Sequence, residues 1–130
     1  MYKILVIDDE PGIVEILVDY LAMKGYETSA AANGGEALNL LDRGGIFDLI
    51  LMDGKMPGVS GIPFLGVLRK KGFNTPAIVL TGSLNTEDIT IFNKDLFQEI
   101  LTKPVHLAEL LKLIRKYLPG KKEKSGKRKS

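Results

Sequence analysis

The chain contains no cysteine, only one histidine (His106) and no long apolar run among its 130 residues. Without cysteine there are no disulfides, no thiolate metal sites and no cysteine nucleophile. No apolar stretch approaches the roughly 20 residues needed to span a bilayer. The N-terminal run Ile4-Leu5-Val6-Ile7 stops at Asp8-Asp9, too short for a signal peptide. These absences lead to the expectation of a cytoplasmic protein. The 45% hydrophobic and 26% charged composition is that of a globular chain, and the length suits one domain. The net charge of +2 hides an asymmetry: Lys121 to Ser130 carry +5, while residues 1–120 carry −3. That tail is low-complexity Lys/Gly/Ser and is expected to be disordered. Its cations could meet nucleic acid or an acidic membrane surface. It has no interleaved aromatics, so a solubilising role is preferred. The expected division is therefore a folded domain over 1–120 and a basic tail over 121–130.

What is present centres on Asp53. It ends the apolar run Leu49-Ile50-Leu51-Met52 and precedes Gly54-Lys55-Met56-Pro57-Gly58. Such a run reads as a buried parallel strand, with a carboxylate at its carboxyl end. Four other strands are expected: Lys3 to Ile7, Tyr26 to Ala32, Ala77 to Leu80, and a short Ile100-Leu101. Helices are expected between them. Pro11 opens the first, behind an acidic residue able to cap it, with Ile13, Ile16, Leu17, Tyr20 and Leu21 at helical spacing and Gly25 as the stop. Asn33 caps the second, which buries Ala37, Leu38 and Leu41. Pro63 stands in the first turn of the third, with Phe64, Leu65 and Leu68 inward and Gly72 at its end. His106 to Leu118 forms the last, with Leu107, Leu110, Leu111, Ile114 and Tyr117 on one face. The segment Asn85 to Gln98 is the weak link, because Ile89-Thr90-Ile91-Phe92 is a poor helix former. It is expected to be a short or mobile helix. Alternating strands and helices imply a parallel sheet covered on both faces, hence an α/β, doubly wound domain of five strands and five helices.

In a parallel sheet the carboxyl ends of the strands share one edge, where ligand chemistry gathers. Asp8-Asp9, Asp53, Thr81 and Lys103 all fall there. Each alone has a plain structural role, as a cap, a turn or a solvated charge. Together they make a pattern. Carboxylates about 4 Å apart repel by roughly 4 kcal/mol at an effective dielectric near 20, which favours protonation or a shared cation. Oxygen ligands without His or Cys favour a hard ion, Mg²⁺ above all. A carboxylate nucleophile, Mg²⁺, an ammonium and a hydroxyl are the parts needed for phosphoryl transfer to an aspartate.

Asp8-Asp9, Asp53 with Met56-Pro57, Thr81-Gly82 and Lys103-Pro104 resemble the receiver domain of two-component response regulators, in the stand-alone form typified by chemotaxis receivers. The resemblance runs from residue 3 to 118. It implies a flavodoxin-like (βα)₅ fold with sheet order 2-1-3-4-5, an order already associated with receivers. It implies that Asp53 accepts a phosphoryl group from a histidine kinase or histidine phosphotransferase, with weak autodephosphorylation. Asp9, Asp53 and the carbonyl of Lys55 would ligate Mg²⁺, and Asp8 would bind it through water. Thr81 and Lys103 would contact phosphoryl oxygens, Gly82 would leave them room, and Lys103-Pro104 would be cis.

The chain departs from that pattern at the switch. Ile100 stands where receivers place an aromatic, three residues before the lysine, and Leu96-Phe97 replaces a Gly-Ala pair. Ile100 is therefore expected to stay nearly still on phosphorylation, leaving residues 85–98 to report it to an unknown output protein. Two rivals remain: a receiver cut from a longer regulator with an effector domain, and a haloacid-dehalogenase-like phosphatase. The latter wants Asp-x-Asp on its first strand, whereas this chain has adjacent aspartates. His106 is assigned no chemistry, because a phosphorelay histidine needs an exposed mid-helix site in a bundle.

Overall fold

The computed structural model describes residues 1–54, 61–82 and 96–120. In these, five strands alternate with four helices: β1 (Lys3–Ile7), α1 (Pro11–Met23), β2 (Glu27–Ala31), α2 (Gly34–Asp42), β3 (Leu49–Asp53), α3 (Gly61–Lys70), β4 (Ala77–Thr81), β5 (Glu99–Thr102) and α4 (Leu107–Tyr117). All neighbouring strands pair in parallel, in the order β2-β1-β3-β4-β5. The expected helix over 85–98 falls mainly outside the described residues, as do the tail from Lys121 and the Lys55 carbonyl.

The unbroken apolar runs of β1, β3 and β4 follow from burial on both sheet faces. Successive residues point to opposite sides. Ile4, Val6, Leu49, Leu51, Ile78 and Leu80 pack with Leu17 and Leu21 of α1 and Leu110 and Ile114 of α4. Leu5, Ile7, Ile50, Met52 and Val79 pack on the other side with Ala37 and Leu41 of α2, Phe64, Leu65 and Leu68 of α3, and Phe97. Phe97 is fully buried, so the residue that replaces the usual small pair has become a core anchor.

Helix ends follow local chemistry. Pro11 is the first residue of α1. The acidic residue before it, Glu10, gives no side-chain cap; instead its own N–H donates to Asp8 Oδ1 at 3.0 Å. Asn33 caps α2 by accepting from the Glu36 N–H at 2.9 Å, and Glu36 Oε1 accepts from the Ala32 N–H at 2.8 Å. The pair resembles a capping box, with Glu36 reaching one residue beyond the cap. Gly25 and Gly72, with φ of 92° and 94°, end α1 and α3 in the left-handed region that glycine enters without strain.

Three local expectations shift. Ile16 lies on the outer side of α1 and is 57% exposed, because the inward stripe narrows to Leu17 and Leu21. β2 begins at Glu27, one residue after Tyr26. β5 is longer than Ile100-Leu101: the Gln98 N–H donates to the Ala77 carbonyl at 2.9 Å, and Gln98 Oε1 accepts from the Ala77 N–H at 2.7 Å. Polar Gln98 and Glu99 hide this strand from an apolar-run reading. Arg69 of α3 fastens the approach to β5, donating to the Leu96 carbonyl from Nε at 3.1 Å and Nη2 at 2.7 Å.

Candidate functional site

Parallel register brings the ends of β1, β3, β4 and β5 to one edge. Asp53 pairs with Leu80, and Thr81 with Thr102. Asp8 and Asp9 follow β1 directly, and Lys103 follows β5. The Asp8 N–H donates to the Ala31 carbonyl at 3.1 Å, and the Lys103 N–H to the Thr81 carbonyl at 2.6 Å. The side chains therefore leave rigid strand ends.

Carboxylate oxygens of Asp8, Asp9 and Asp53 lie within 4.8 Å of one another. Asp8 and Asp53 are buried, while Asp9 is exposed. Lys103 Nζ stands 3.6 Å from Asp8 Oδ2 and 3.5 Å from Asp53 Oδ1, bridging the two buried carboxylates. It also lies 3.9 Å from Glu10 Oε1. Glu10 was not singled out from sequence; its place beside Asp8-Asp9 was the available signal. Burial raises the Asp8 carboxyl above the ordinary value, and Asp53 and Asp9 add to that. The Glu10 N–H and the Lys103 ammonium oppose it.

Three carboxylates against one ammonium leave local negative charge for a cation to neutralise. Asp8 Oδ2 is buried and accepts no hydrogen bond. Buried polar atoms ordinarily find a partner. A bound cation, or a water held by one, would supply it, and an all-oxygen donor set suits a hard divalent ion. The residues present thus fit a divalent metal.

Thr81 is buried at the same edge, and Ile100, in register with Val79, is half-buried against the core. Among the described residues, nothing lies within 4 Å of a Cβ placed at Gly82. The Lys103–Pro104 peptide is cis. His106 is the exposed N-cap of α4 and makes no side-chain cap. No helix among the described residues is long and apolar enough to cross a membrane.

Residues 4–115 match the family described as the response regulator receiver domain. A transcriptional regulatory protein, DltR of Streptococcus agalactiae, is 37% identical over 114 residues, covering 87% of this chain but 50% of its own length. The sporulation initiation phosphotransferase F of Bacillus subtilis is 34% identical over 120 residues, covering 92% of this chain and 95% of its own. The response regulator TrrA of Thermotoga maritima, solved in complex with Mg²⁺ and BeF, superposes with a TM-score of 0.79 at 36% identity, covering 90% and 99% of the two chains. The chain belongs to the receiver domain family: it is a phosphorylation-dependent response regulator receiver of the two-component type. It spans about half the length of DltR and nearly all of the phosphotransferase.

Proposed function

We propose that Asp53 is the phosphoacceptor and that the strand-end cluster around it is the phosphoryl-transfer site. The observation that carries this is Lys103 Nζ, 3.5 Å from Asp53 and 3.6 Å from Asp8, beside a three-carboxylate group. A carboxylate oxygen of Asp53 attacks the phosphorus of a phosphohistidine on a kinase or phosphotransferase. The P–N bond breaks, and its electron pair and the proton needed at neutral pH end on the leaving imidazole. Lys103 then turns from the carboxylates to the arriving phosphoryl oxygens, and Thr81 donates its hydroxyl to another.

Asp9, Asp53 and the Lys55 carbonyl would hold Mg²⁺, with Asp8 reaching it through water. When bound, Mg²⁺ supplies charge neutralisation between the nucleophile and the phosphoryl oxygens. The Mg²⁺–BeF complex of the Thermotoga relative supports the assignment of that ion and of the phosphorylated state. With water as attacker, the same site would release the phosphoryl group slowly. We place the receiver at residues 1–120, with the basic segment 121–130 as an appendage, in the cytoplasm where two-component kinases present their phosphohistidines.

The test is incubation with Mg²⁺ and acetyl phosphate, in which acetate leaves with the P–O electron pair. One phosphate should be added, labile to hydroxylamine and absent from Asp53→Asn. Labelling of Asp53→Asn at the wild-type rate would overturn the assignment. The half-length match to DltR favours a second arrangement, the same receiver joined to an effector domain; the length of the encoding gene tests it.

A further inference from the structure

Gly54 follows the phosphoacceptor, and its N–H donates to the Leu80 carbonyl at 2.8 Å, extending the β3–β4 ladder beyond Asp53. The described glycines with positive φ are Gly25, Gly44, Gly72 and Gly120. Gly54 is not among them, so its backbone conformation does not call for glycine. The space around it does. A Cβ at Gly54 would stand 3.2 Å from Thr81 Cβ, 3.2 Å from Val79 Cγ1 and 3.4 Å from Thr81 Oγ1. The two carbon contacts are closer than ordinary van der Waals contact, so a neighbour would have to give by a few tenths of an ångström, and both neighbours are packed in. Val79 is fully buried and lies between Met52 and Ile100 in register. Thr81 is 3% exposed. Rotation about χ1 would move Oγ1 away but would leave the Cβ contact unchanged.

The geometry points to Gly54 as a positioning residue: its missing side chain is the clearance that keeps Thr81 Cβ in the place from which the hydroxyl reaches the phosphoryl group on Asp53. This rests on the phosphoacceptor reading above. The consequence is specific to this chain. Ile100 is β-branched, stiff at χ1 and packed against the core in register with Val79, so it leaves Val79 little room to give way toward β5. The clearance beside Thr81 on the β3 side is therefore kept by Gly54. A methyl at 54 displaces Thr81 by a few tenths of an ångström and leaves the carboxylates of Asp8, Asp9 and Asp53 where they are.

The experiment uses the full chain as wild type, Asp53→Asn, Gly54→Ala and Gly54→Ala/Val79→Ala, with folding checked by circular dichroism. Three quantities are read: Mg²⁺ affinity by calorimetry, the rate of labelling by acetyl phosphate, and beryllofluoride affinity in saturating Mg²⁺. Gly54→Ala should keep Mg²⁺ affinity within about twofold while labelling and beryllofluoride affinity fall about fivefold or more, the scale expected when a contacting group is slightly misplaced. Removing Val79 Cγ1 gives the new methyl room, so the double variant should regain most of that loss. If the double variant does not fold, the Thr81 methyl resonance of Gly54→Ala replaces it, and its beryllofluoride-induced shift should shrink. Wild-type labelling and beryllofluoride affinity in Gly54→Ala overturn the proposal, as does an equal loss of Mg²⁺ affinity, which would mark a general structural defect. Labelling of Asp53→Asn would instead sink the phosphoacceptor reading itself, so the two failures are distinct.

Discussion

Replacing Asp8 with asparagine should stabilise the metal-free protein and weaken its response to Mg²⁺. Lys103 Nζ lies 3.6 Å from Asp8 Oδ2, an attraction of about 4–5 kcal/mol at an effective dielectric near 20. Asp53 lies within 4.8 Å of Asp8 and repels it by at least about 3.5 kcal/mol on the same scale. Asp9 is equally near but exposed, so solvent cuts its repulsion to about 1 kcal/mol or less. These Coulomb contributions nearly cancel. What remains is the burial of the carboxylate, several kcal/mol for an ion in the interior, of which the Glu10 N–H returns about 1.5–3 kcal/mol.

Asparagine keeps the Oδ1 acceptor for Glu10 and replaces Oδ2, which meets Lys103 without a hydrogen bond, with a neutral amide able to donate to the neighbouring carboxylates. The net gain should be about 1–3 kcal/mol, or roughly 3–5 °C in Tm per kcal/mol for a domain of this size. The sign agrees with the raised Asp8 carboxyl. An acid whose folded value lies above its unfolded value costs stability as pH rises between the two, and the cost persists above both. Asp8→Asn escapes that cost. Each tenfold loss in Mg²⁺ affinity removes about 1.4 kcal/mol from the stabilisation at a fixed saturating concentration. Thermal melts followed at 222 nm, in EDTA and in Mg²⁺, read both effects. A variant less stable than wild type in EDTA would show that the Asp8–Lys103 pair is net stabilising, and the reasoning would fail.

Further expectations follow from the same geometry. Asp9→Ala should weaken Mg²⁺ binding more than Asp8→Ala does in calorimetry, since of the two only Asp9 is assigned to direct ligation; equal effects would move Asp8 into contact with the ion. Lys103→Met should leave two buried carboxylates unbalanced, lowering stability by about 3–5 kcal/mol and slowing acetyl phosphate labelling. An unchanged melt in EDTA would count against the bridging role. Phe97→Ala should cost about 3–5 kcal/mol in urea unfolding, because Phe97 is fully buried in the α2–α3 core. On the α4 side, Lys116 Nζ and Tyr117 OH both meet Glu99 Oε2, at 3.0 Å and 2.6 Å. Hydrogen bonding to Glu99 raises the Lys116 ammonium, and burial followed by Glu99 raises the Tyr117 phenol. The lysine's contribution is complete below its unfolded value and fades as pH rises through the folded one. The tyrosine acts in the same direction, since its neutral form is the one the fold favours. Stability should therefore fall at alkaline pH, and Glu99→Gln should flatten that fall; parallel pH–Tm curves would refute it.

The frame was legible because its signals are local and redundant. β1, β3 and β4 are continuous apolar runs, and only a sheet buried on both faces asks for that. Pro11, Asn33, Gly25 and Gly72 punctuate the helices by backbone chemistry that needs no tertiary context. The meeting of Asp8, Asp9, Asp53 and Lys103 was legible for a topological reason. Parallel strands send their carboxyl ends to one edge, so polar residues at those ends converge whatever the helices do. What escaped depends on neighbours distant in sequence. Glu99 and Gln98 look like loop residues until Ala77 offers its N–H and carbonyl to Gln98. Ile16 fits the helical stripe, yet no described element covers it, and periodicity alone cannot count covering layers. The place of Gly54 beside Thr81 is of the same kind. As an Asp-Gly pair it reads as a turn, and only the β3–β4 register reveals that the missing side chain clears space at the end of the next strand. The groups proposed to carry the chemistry of this edge are thus recognisable in the sequence, while the room beside Thr81 is set by an atom that is absent.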